Sequence, residues 1–304
     1  MRLPSCPPIV SPSVAADAAV FVLGMHRSGT SAAARVINLL GVPVNRSEDW
    51  LAPQPQNPKG YWESSALLTA NDQLLALLGC DCWCPPDLPT GWERDTALGE
   101  FREEARSALR GVFPTPQWLW KDPRNCITFP FWADLVDRRS VVVFVYRNPL
   151  EVACSLAAAT ADSDPLCKPL CLALWERYIR ATLANMIGLP VLITSYADLM
   201  DDTASWCEAA ASFLTSRAIA LDPENATAPI SVFLERQLRH SHFTLNDLRS
   251  DLDISGAQVQ LFDTLEASRG VHNSFALPEM PPETSWTEPL LAERRRAFRH
   301  CRAA

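Results

Sequence analysis

The sequence lacks any run of about eighteen uncharged apolar residues, so its hydropathy predicts no transmembrane helix. Its N-terminus also lacks the basic start and the long apolar stretch of a secretory signal peptide. Prolines, serines and small residues fill that segment instead, and we interpret residues 1–18 as a disordered leader. Residues 19–304 are predicted to form a single domain, and the cytoplasm is the expected location.

Positive charge is scarce as well. The chain has 27 lysines and arginines against 35 aspartates and glutamates, which gives a formal net charge of −8 at pH 7. This balance argues against nucleic acid or an anionic membrane as a partner, because both attract basic surfaces. Any site for an anion must therefore be built locally, from a few side chains and backbone groups.

Regular cysteine spacing is missing too, although the chain has 10 cysteines. They are spread through a long sequence without a CxxC pair, so a disulfide framework of the small secreted kind is not expected. Cys80, Cys82 and Cys84 lie close together and are candidates for a metal site or a bridge. No matching histidine group completes a zinc site, and we interpret the segment as a loop that binds no metal.

Short apolar runs are what the sequence does contain. Residues 18–23, 140–146 and 190–195 are apolar and rich in β-branched side chains, which indicates buried parallel strands, and residues 118–121 are a further candidate. Helices are predicted at 32–40, 151–159, 166–187, 206–217, 231–239 and 293–302. Strands that alternate with helices predict an α/β fold of three layers, with a central parallel sheet flanked by helices.

A glycine-containing loop, GMHRSGTS at residues 24–31, separates the first predicted strand from the first predicted helix. Such a turn aims backbone N–H groups inward, and the N-terminus of the helix adds partial positive charge. In a nucleotide triphosphatase a lysine would follow the second glycine, but Thr30 stands there. Arg27 supplies the charge and Ser28, Thr30 and Ser31 supply hydroxyls. We therefore predict a phosphate or sulfate site that needs no metal.

The segment RSGTS at residues 27–31 resembles the 5′-phosphosulfate loop of the sulfotransferases that use PAPS (3′-phosphoadenosine-5′-phosphosulfate). A second motif strengthens the resemblance, because Arg147 follows another predicted strand and Ser155 lies on the next predicted helix. In that family an arginine and a serine at this spacing grip the 3′-phosphate, to which arginine offers a planar fork of donors. The resemblance implies a P-loop NTPase-like sulfotransferase fold with PAPS as the co-substrate.

A third motif, YADL at residues 196–199, resembles the family's Tyr-Glu-Asp-Leu/Met segment, with alanine in place of glutamate. The resemblance places Tyr196 near the adenine, and a core-facing tyrosine is the alternative. The sequence departs from some members at Ala32, where they carry a tryptophan that stacks on adenine. The residues implied in cofactor binding are Arg27, Ser28, Gly29, Thr30, Ser31, Arg147, Ser155 and Tyr196.

Cytosolic members of the family also bind the 3′-phosphate with a glycine-rich, lysine-bearing loop near the C-terminus, which has no clear counterpart here. Lys168, Arg236 and Arg239 are candidates for that contact, with solvated surface charge as the alternative for each.

The segment KDPR at residues 121–124 stands where cytosolic members have a Lys-Thr-His-Leu-Pro stretch, with Pro123 in place of the catalytic histidine. Lys121 is predicted to contact the transferring group. Asp122 and Arg124 are expected to form an ion pair that shapes the site. Arg27 is predicted to stabilise the negative charge that grows on the leaving oxygen.

The general base is predicted to be Glu63, in the loop NPKGYWE at residues 57–63, which is reminiscent of sulfotransferases that use glutamate. An exposed glutamate that starts a helix is the alternative interpretation. Asp122 and His26 remain the other candidates for the base, and the His26 side chain is expected mainly to support the loop.

The acceptor is predicted only as a class, a small molecule, a glycan or a peptide. Tryptophans between the two phosphate motifs offer aromatic faces that stack on sugar rings or contact apolar molecules, although core packing explains several of them equally well. These tryptophans are Trp50, Trp62, Trp83, Trp92, Trp118 and Trp120. A P-loop kinase-like phosphotransferase and a non-catalytic nucleotide-binding protein are the alternative functions.

Overall fold

The computed structural model describes residues 17–45, 49–54, 57–234 and 241–303. A five-stranded sheet in the order β2-β1-β3-β4-β5 runs through the centre of the molecule. Its strands are β1 (Ala18–Leu23), β2 (Gln117–Lys121), β3 (Arg139–Tyr146), β4 (Val191–Ser195) and β5 (Gly270–His272). Strands β1 to β4 are parallel, whereas β5 pairs antiparallel with β4. The predicted α/β class with a central, mostly parallel sheet is confirmed.

Helices connect and cover these strands. They are α1 (Thr30–Leu39), α2 (Ser65–Leu77), α3 (Gly99–Val112), α4 (Asn125–Leu135), α5 (Pro149–Thr160), α6 (Lys168–Asn185), α7 (Tyr196–Asp201), α8 (Thr203–Ser216), α9 (Thr227–Phe233), α10 (Leu245–Ser250), α11 (Gly256–Ala267) and α12 (Thr287–Ala303). In the described part of the chain, no helix combines the length and the apolar character needed to cross a membrane.

The core lies on both faces of the sheet. Along β1, Val20 and Val22 join one buried cluster with side chains of α1 and α8, while Phe21 joins another with side chains of α4 and α6. Every residue of β1 is buried. A strand covered by helices on both faces needs no polar alternation, which explains why the sequence shows a continuous apolar run there.

Strands β2 and β5 lie at the two edges of the sheet. At one edge the Leu119 N–H of β2 donates to the Pro43 carbonyl at 2.7 Å. At the other edge β5 pairs with residues 191–193 of β4. The sequence did not predict β5, because a strand of three residues is too short to show periodicity.

Helices α2 and α3 were also absent from the prediction. Helix α3 buries Phe101, Ala105, Leu109 and Val112, and this spacing of four, four and three residues is the signal of an amphipathic helix. The predicted helix at 293–302 forms the second half of α12. The predicted helix at 231–239 overlaps α9, which ends at Phe233, and residues 235–240 lie outside the described residues, as do residues 1–16 of the predicted leader.

Gly24 allows the chain to leave β1 close to the end of β3. Its φ is +152°, and a Cβ atom at this position would lie 2.3 Å from the Val145 carbonyl oxygen and 2.6 Å from Cγ2 of Thr30. The first of these neighbours is backbone inside the sheet and cannot move aside without breaking the β1–β3 pairing. Only glycine therefore fits where the loop begins.

We expect Gly24→Ala to lower the free energy of unfolding by about 2 kcal/mol or more, because it adds a backbone clash to an unfavourable φ. Gly111→Ala, in α3, is the matched control, since a Cβ atom there meets nothing within 4 Å. That control should raise stability by about 0.5–1 kcal/mol, because alanine is the better helix former. Urea unfolding measures both values, and equal stability of the two variants would contradict this account.

Candidate functional site

The carboxyl ends of strands β1 to β4 open into one cavity of about 490 Å³. Arg27 reaches it from the loop after β1, Lys121 from the last position of β2, Arg147 from the residue after β3 and Tyr196 from the residue after β4. Parallel strands end at the same edge of a sheet, so residues far apart in sequence meet there. The cavity thus brings together the predicted phosphate motifs and the predicted catalytic residues.

The predicted cofactor-binding residues all line this cavity except Ser28, and the predicted catalytic residues Arg27, Glu63 and Lys121 line it too. The loop from residues 57 to 61 forms another part of the wall, together with Phe233 at the end of α9.

The loop between β1 and α1 has the backbone of an anion cradle. Arg27 and Gly29 both lie in the left-handed region, with φ of +66° and +85°. The Ser28 N–H donates to the Met25 carbonyl at 3.1 Å, which closes the turn. Left-handed residues within such a turn direct N–H groups to one side, and the N-terminus of α1 follows directly. The arrangement favours a bound phosphate or sulfate.

Ser28 is the predicted cofactor-binding residue that does not line the cavity. Its side chain is fully buried, and its Oγ atom has no hydrogen-bond partner among the described residues. A buried hydroxyl without a partner costs about 1–3 kcal/mol. The Ser28 side chain is therefore not placed to contact an anion in the cavity, and the contacts of the loop fall to its backbone N–H groups and its other side chains.

Tyr196 fixes the shape of the loop from the other side. A Cβ atom at Gly29 would lie 2.1 Å from Cδ2 of Tyr196, so the ring packs directly on the glycine backbone. The Arg147 guanidinium lies 4.7 Å from the centre of the same ring, within the range of a cation–π contact. Tyr196 therefore joins the loop to the second phosphate motif.

The two arginine motifs are also linked by hydrogen bonds. Arg27 Nε donates to Ser155 Oγ at 2.9 Å, and Arg147 Nη1 donates to the Arg27 carbonyl at 3.1 Å. Arg147 Nε pairs with the Glu151 carboxylate at 2.6 Å. Sequence reasoning missed Glu151, although its spacing of four residues from Arg147 at the start of a helix was a usable signal.

Glu63 and Lys121 form a buried ion pair whose side chains are only 6% and 1% exposed. Lys121 Nζ also donates to Ser31 Oγ at 3.1 Å, which connects the pair to helix α1. Burial raises the pKa of Glu63, the neighbouring Lys121 opposes that rise, and the Asp122 carboxylate adds to it. Glu63 is therefore not the exposed residue of the alternative interpretation.

His26 is held in its neutral form. Burial lowers its pKa well below the usual value, and the nearby charges of Arg124, Lys121 and Arg27 act in the same direction. The ring lies 4.8 Å from the Trp83 ring and 5.6 Å from the Tyr178 ring. These ring contacts agree with the expected supporting role.

Asp122 does not line the cavity, in contrast to the other two candidates for the base. It forms the expected ion pair with Arg124, at 3.2 Å. Its carboxylate also accepts a hydrogen bond from Asn71 Nδ2 at 2.9 Å. A carboxylate engaged in this way cannot reach a proton of an acceptor in the cavity, so Asp122 is excluded as the general base.

Lys168 is not the third 3′-phosphate contact. It forms ion pairs with Asp251 at 2.6 Å and Asp253 at 3.2 Å, and it does not line the cavity. The structural reason is that these acidic residues, far along the chain, hold the start of α6. The other candidates, Arg236 and Arg239, lie outside the described residues.

The tryptophans singled out for acceptor binding do not line the cavity either. Trp118 and Trp120 are buried in the core, where β2 places them on one face of the sheet. Trp50 and Trp62 pair with each other, with ring centres 4.5 Å apart. The aromatic side chains of the cavity wall are instead His26, Tyr61, Tyr196 and Phe233.

The cysteine group lies in a buried turn. Cys80, Cys82 and Cys84 are free thiols, and burial raises the pKa of each. The bridge that was the alternative for this group is therefore not formed. Across the part of the chain that the structure describes, no group of three or more histidine, cysteine or acidic side chains is placed to hold a metal ion.

Comparison with known proteins gives no match to a family model and none to a curated protein. Solved structures do resemble the chain, among them the sulfotransferase domain from the curacin biosynthetic pathway, at 11% identity over 90% of this chain and 96% of that chain, with a TM-score of 0.41. A sulfotransferase from Mycobacterium tuberculosis H37Rv shares 16% identity over 84% of this chain and 77% of its own, with a TM-score of 0.40.

A third structure, retinol dehydratase in complex with androsterone and the inactive cofactor PAP, shares 14% identity over 92% of this chain and 79% of its own, with a TM-score of 0.36. The first two of these structures are of sulfotransferases.

We expect Lys121→Met to lower the free energy of unfolding at neutral pH by about 3 kcal/mol, because it leaves the buried Glu63 carboxylate without its cation. The double variant Glu63→Gln/Lys121→Met should recover a large part of that loss. Urea unfolding of the wild type and the two variants measures the recovery, and a double variant no more stable than Lys121→Met would contradict a buried pair.

The loss of unfolding free energy in Lys121→Met, relative to the wild type, should become smaller as the pH falls. Without the cation, burial raises the pKa of Glu63 further above that of an unfolded chain, so the folded variant binds a proton that the unfolded chain does not. The stability of Lys121→Met relative to the wild type is therefore greatest below the pKa that Glu63 has in the unfolded chain. It is lost as the pH rises through the pKa that Glu63 has in the folded variant.

Proposed function

We propose that the protein is a sulfotransferase that moves the sulfuryl group of PAPS to a hydroxyl or amine of an acceptor and releases adenosine 3′,5′-bisphosphate. The observation that carries this proposal is the meeting of two arginine motifs in one cavity, where Arg27 and Arg147 are joined through Ser155 and the loop backbone. A nucleotide with anionic groups at both the 5′ and 3′ positions requires two such cationic subsites, whereas a simple phosphate requires one.

The residues present fit this co-substrate. Thr30 and Ser31 line the cavity, and together with the loop N–H groups they would hold the phosphosulfate end. Arg147 and Ser155 would hold the 3′-phosphate, as the resemblance implies. Tyr196 lies between the two subsites, where it would border the nucleoside.

Bound PAPS would supply an activated sulfuryl group, and the chain's own residues would supply charge and a proton acceptor. The guanidinium of Arg27 and the N–H groups of the loop stabilise negative charge at the mouth of α1. Lys121 adds a fixed positive charge beside them, through its bond to Ser31. These groups are already in place in the folded protein, so little reorganisation opposes the reaction.

Glu63 is the proposed general base. Its carboxylate lines the cavity, and its raised pKa makes it a better proton acceptor than an exposed glutamate. His26 also lines the cavity, but its pKa is lowered well below the usual value, so it binds a proton less readily. Lys121 orients Glu63 through the ion pair.

The acceptor belongs to the class of small molecules, glycans or peptides that offer a hydroxyl or an amine. The loop at 57–61 and Phe233 provide a wall of mixed polar and aromatic character, which suits a partly polar acceptor. The net charge of −8 argues against nucleic acid in this role.

Calorimetric titration with adenosine 3′,5′-bisphosphate, in the absence of metal, tests the proposal. We expect micromolar binding by the wild type and a loss of about tenfold or more in Arg27→Ala and in Arg147→Ala, because each removes a charge-assisted contact to an anion. Arg94→Ala is the matched control, since Arg94 is 77% exposed and does not line the cavity. Magnesium-dependent ATP binding without bisphosphate binding would instead support a kinase-like phosphotransferase.

The role of Glu63 as the general base is tested by measuring the transfer of label from radiolabelled PAPS to an acceptor found by screening. Glu63→Gln should lower the turnover number by roughly 10²- to 10⁴-fold with a much smaller change in bisphosphate affinity, because Glu63 acts on the proton of the acceptor. Glu100→Gln, at an exposed position of α3, is the control. Full activity in Glu63→Gln together with inactive His26→Gln would assign the base to His26. Tight bisphosphate binding without turnover on any acceptor would favour a non-catalytic nucleotide-binding protein.

A further inference from the structure

A proton acceptor in contact with an ammonium group faces a difficulty. The Lys121 ammonium stabilises the ionised form of Glu63 and so weakens its hold on a proton. A carboxylate with this partner alone would orient an acceptor but would remove its proton poorly. Burial raises the pKa of Glu63 against this effect, and a further negative charge near the pair would add to its basicity.

The turn after β2 provides that charge. Asp122 follows Lys121 directly in the chain, and its side chain is 1% exposed. The carboxylate accepts hydrogen bonds from Asn71 Nδ2 at 2.9 Å, the Arg124 backbone N–H at 2.9 Å and Arg124 Nη1 at 3.2 Å. These donors hold a buried negative charge directly after Lys121 in the chain and outside the cavity lining. Arg124 also pairs with Asp72 of α2, at 2.6 Å.

Asn71, on α2, is the anchor of this arrangement. It is fully buried, and its amide nitrogen donates to Asp122 and to Asn125 Oδ1, each at 2.9 Å. Its amide oxygen accepts from Thr128 Oγ1 and from Trp132 Nε1, each at 2.7 Å. All the hydrogen-bonding capacity of the amide is thus used, which fixes its orientation.

The same helix begins just after the base. Glu63 precedes the N-cap residue Ser64, whose side chain accepts from the Leu67 N–H. Helix α2 therefore carries Glu63 at one end and, two turns later, the Asn71 amide that grips Asp122. The contact between α2 and the turn after β2 sets the base and the buried carboxylate in one rigid unit.

We propose that Asp122 is a positioning residue for proton transfer, whose fixed negative charge, held by Asn71 and Arg124, offsets the Lys121 ammonium beside Glu63. The inference rests on the proposed function only in taking Glu63 as the base. This role explains why Asp122 is buried but does not line the cavity.

The charges around Glu63 can be separated by substitution. Lys121 and Arg124 act to lower the pKa of Glu63, and Asp122 acts to raise it together with burial. From the loop after β1, His26 and Arg27 line the same cavity. Removing Asp122 and removing Arg124 should therefore move the titration of Glu63 in opposite directions, which a general loss of structure would not do.

Carbon-13 NMR of the glutamate side-chain carboxyls, with the Glu63 signal assigned by its loss in Glu63→Gln, measures this directly in the full chain. We expect Asp122→Asn, which keeps the shape of the side chain, to shift the Glu63 titration to lower pH. Arg124→Gln, at a partly exposed residue, should shift it to higher pH. On an active acceptor, the acid limb of the pH–rate profile should move in the same directions as the titration.

Thr128→Val is the matched control. It removes one hydrogen bond to the Asn71 oxygen, while Trp132 remains as a donor and the Asn71–Asp122 contact stays intact. This variant should lose stability in urea without moving the Glu63 titration. A titration unchanged in both Asp122→Asn and Arg124→Gln, or shifted equally in Thr128→Val, would overturn the inference. If Asp122→Asn fails to fold, an unchanged titration in Arg124→Gln alone is sufficient to overturn it.

The outcome is separable from that of the proposed function. Titration of Glu63 requires no ligand, whereas the sulfotransferase proposal depends on bisphosphate binding and label transfer. Opposite shifts without bisphosphate binding would support the role of Asp122 and contradict the proposed reaction. Bisphosphate binding together with a Glu63 titration that shifts in neither variant would support the proposed reaction and contradict the role of Asp122.

Discussion

The buried pair of Glu63 and Lys121 is the interaction on which the site depends. The two residues lie 58 positions apart in the chain, and their contact joins the segment before α2 to the end of β2. Moving two charges out of water is costly, and their attraction repays that cost only when further polar partners surround them. The Ser31 hydroxyl, which accepts from Lys121 Nζ, is one such partner. The pair thereby ties the anion loop, the β2 end and the second helix into one unit.

A second set of contacts joins the two phosphate motifs. Arg147 donates to the carbonyl of Arg27, and Arg27 donates to Ser155, so each motif is held in part by the other. The Tyr196 ring, between Gly29 and Arg147, fills the space that would otherwise separate them. A ligand that bridges both motifs would thus enter a frame that is largely preformed, which reduces the entropy lost on binding.

The sequence predicted the parts of the fold that local chemistry decides. Strands β1, β3 and β4 are continuous apolar runs covered on both faces. The glycine-containing loop at residues 24–31 indicates the turn into α1. The β5 strand escaped prediction because its pairing with β4 is set by tertiary contact and not by its three residues. Asn71 escaped for the same reason, since it lies 51 positions from Asp122 and nothing in its neighbourhood marks it as a polar anchor. The tryptophans between the two phosphate motifs could not be assigned from the sequence, because an aromatic side chain can fill a core or contact a ligand.

The two edges of the sheet have a consequence for how copies of this protein behave at high concentration. An open strand edge presents unpaired N–H and carbonyl groups that can recruit a strand from another molecule. Here the Pro43 carbonyl accepts from one N–H of the edge strand β2, and the other edge strand, β5, pairs with residues 191–193 of β4. Proline has no N–H to continue a ladder, and β5 is only three residues long. Another molecule would thus meet a partly occupied strand at one edge of the sheet and a very short one at the other, and both features disfavour edge-to-edge aggregation.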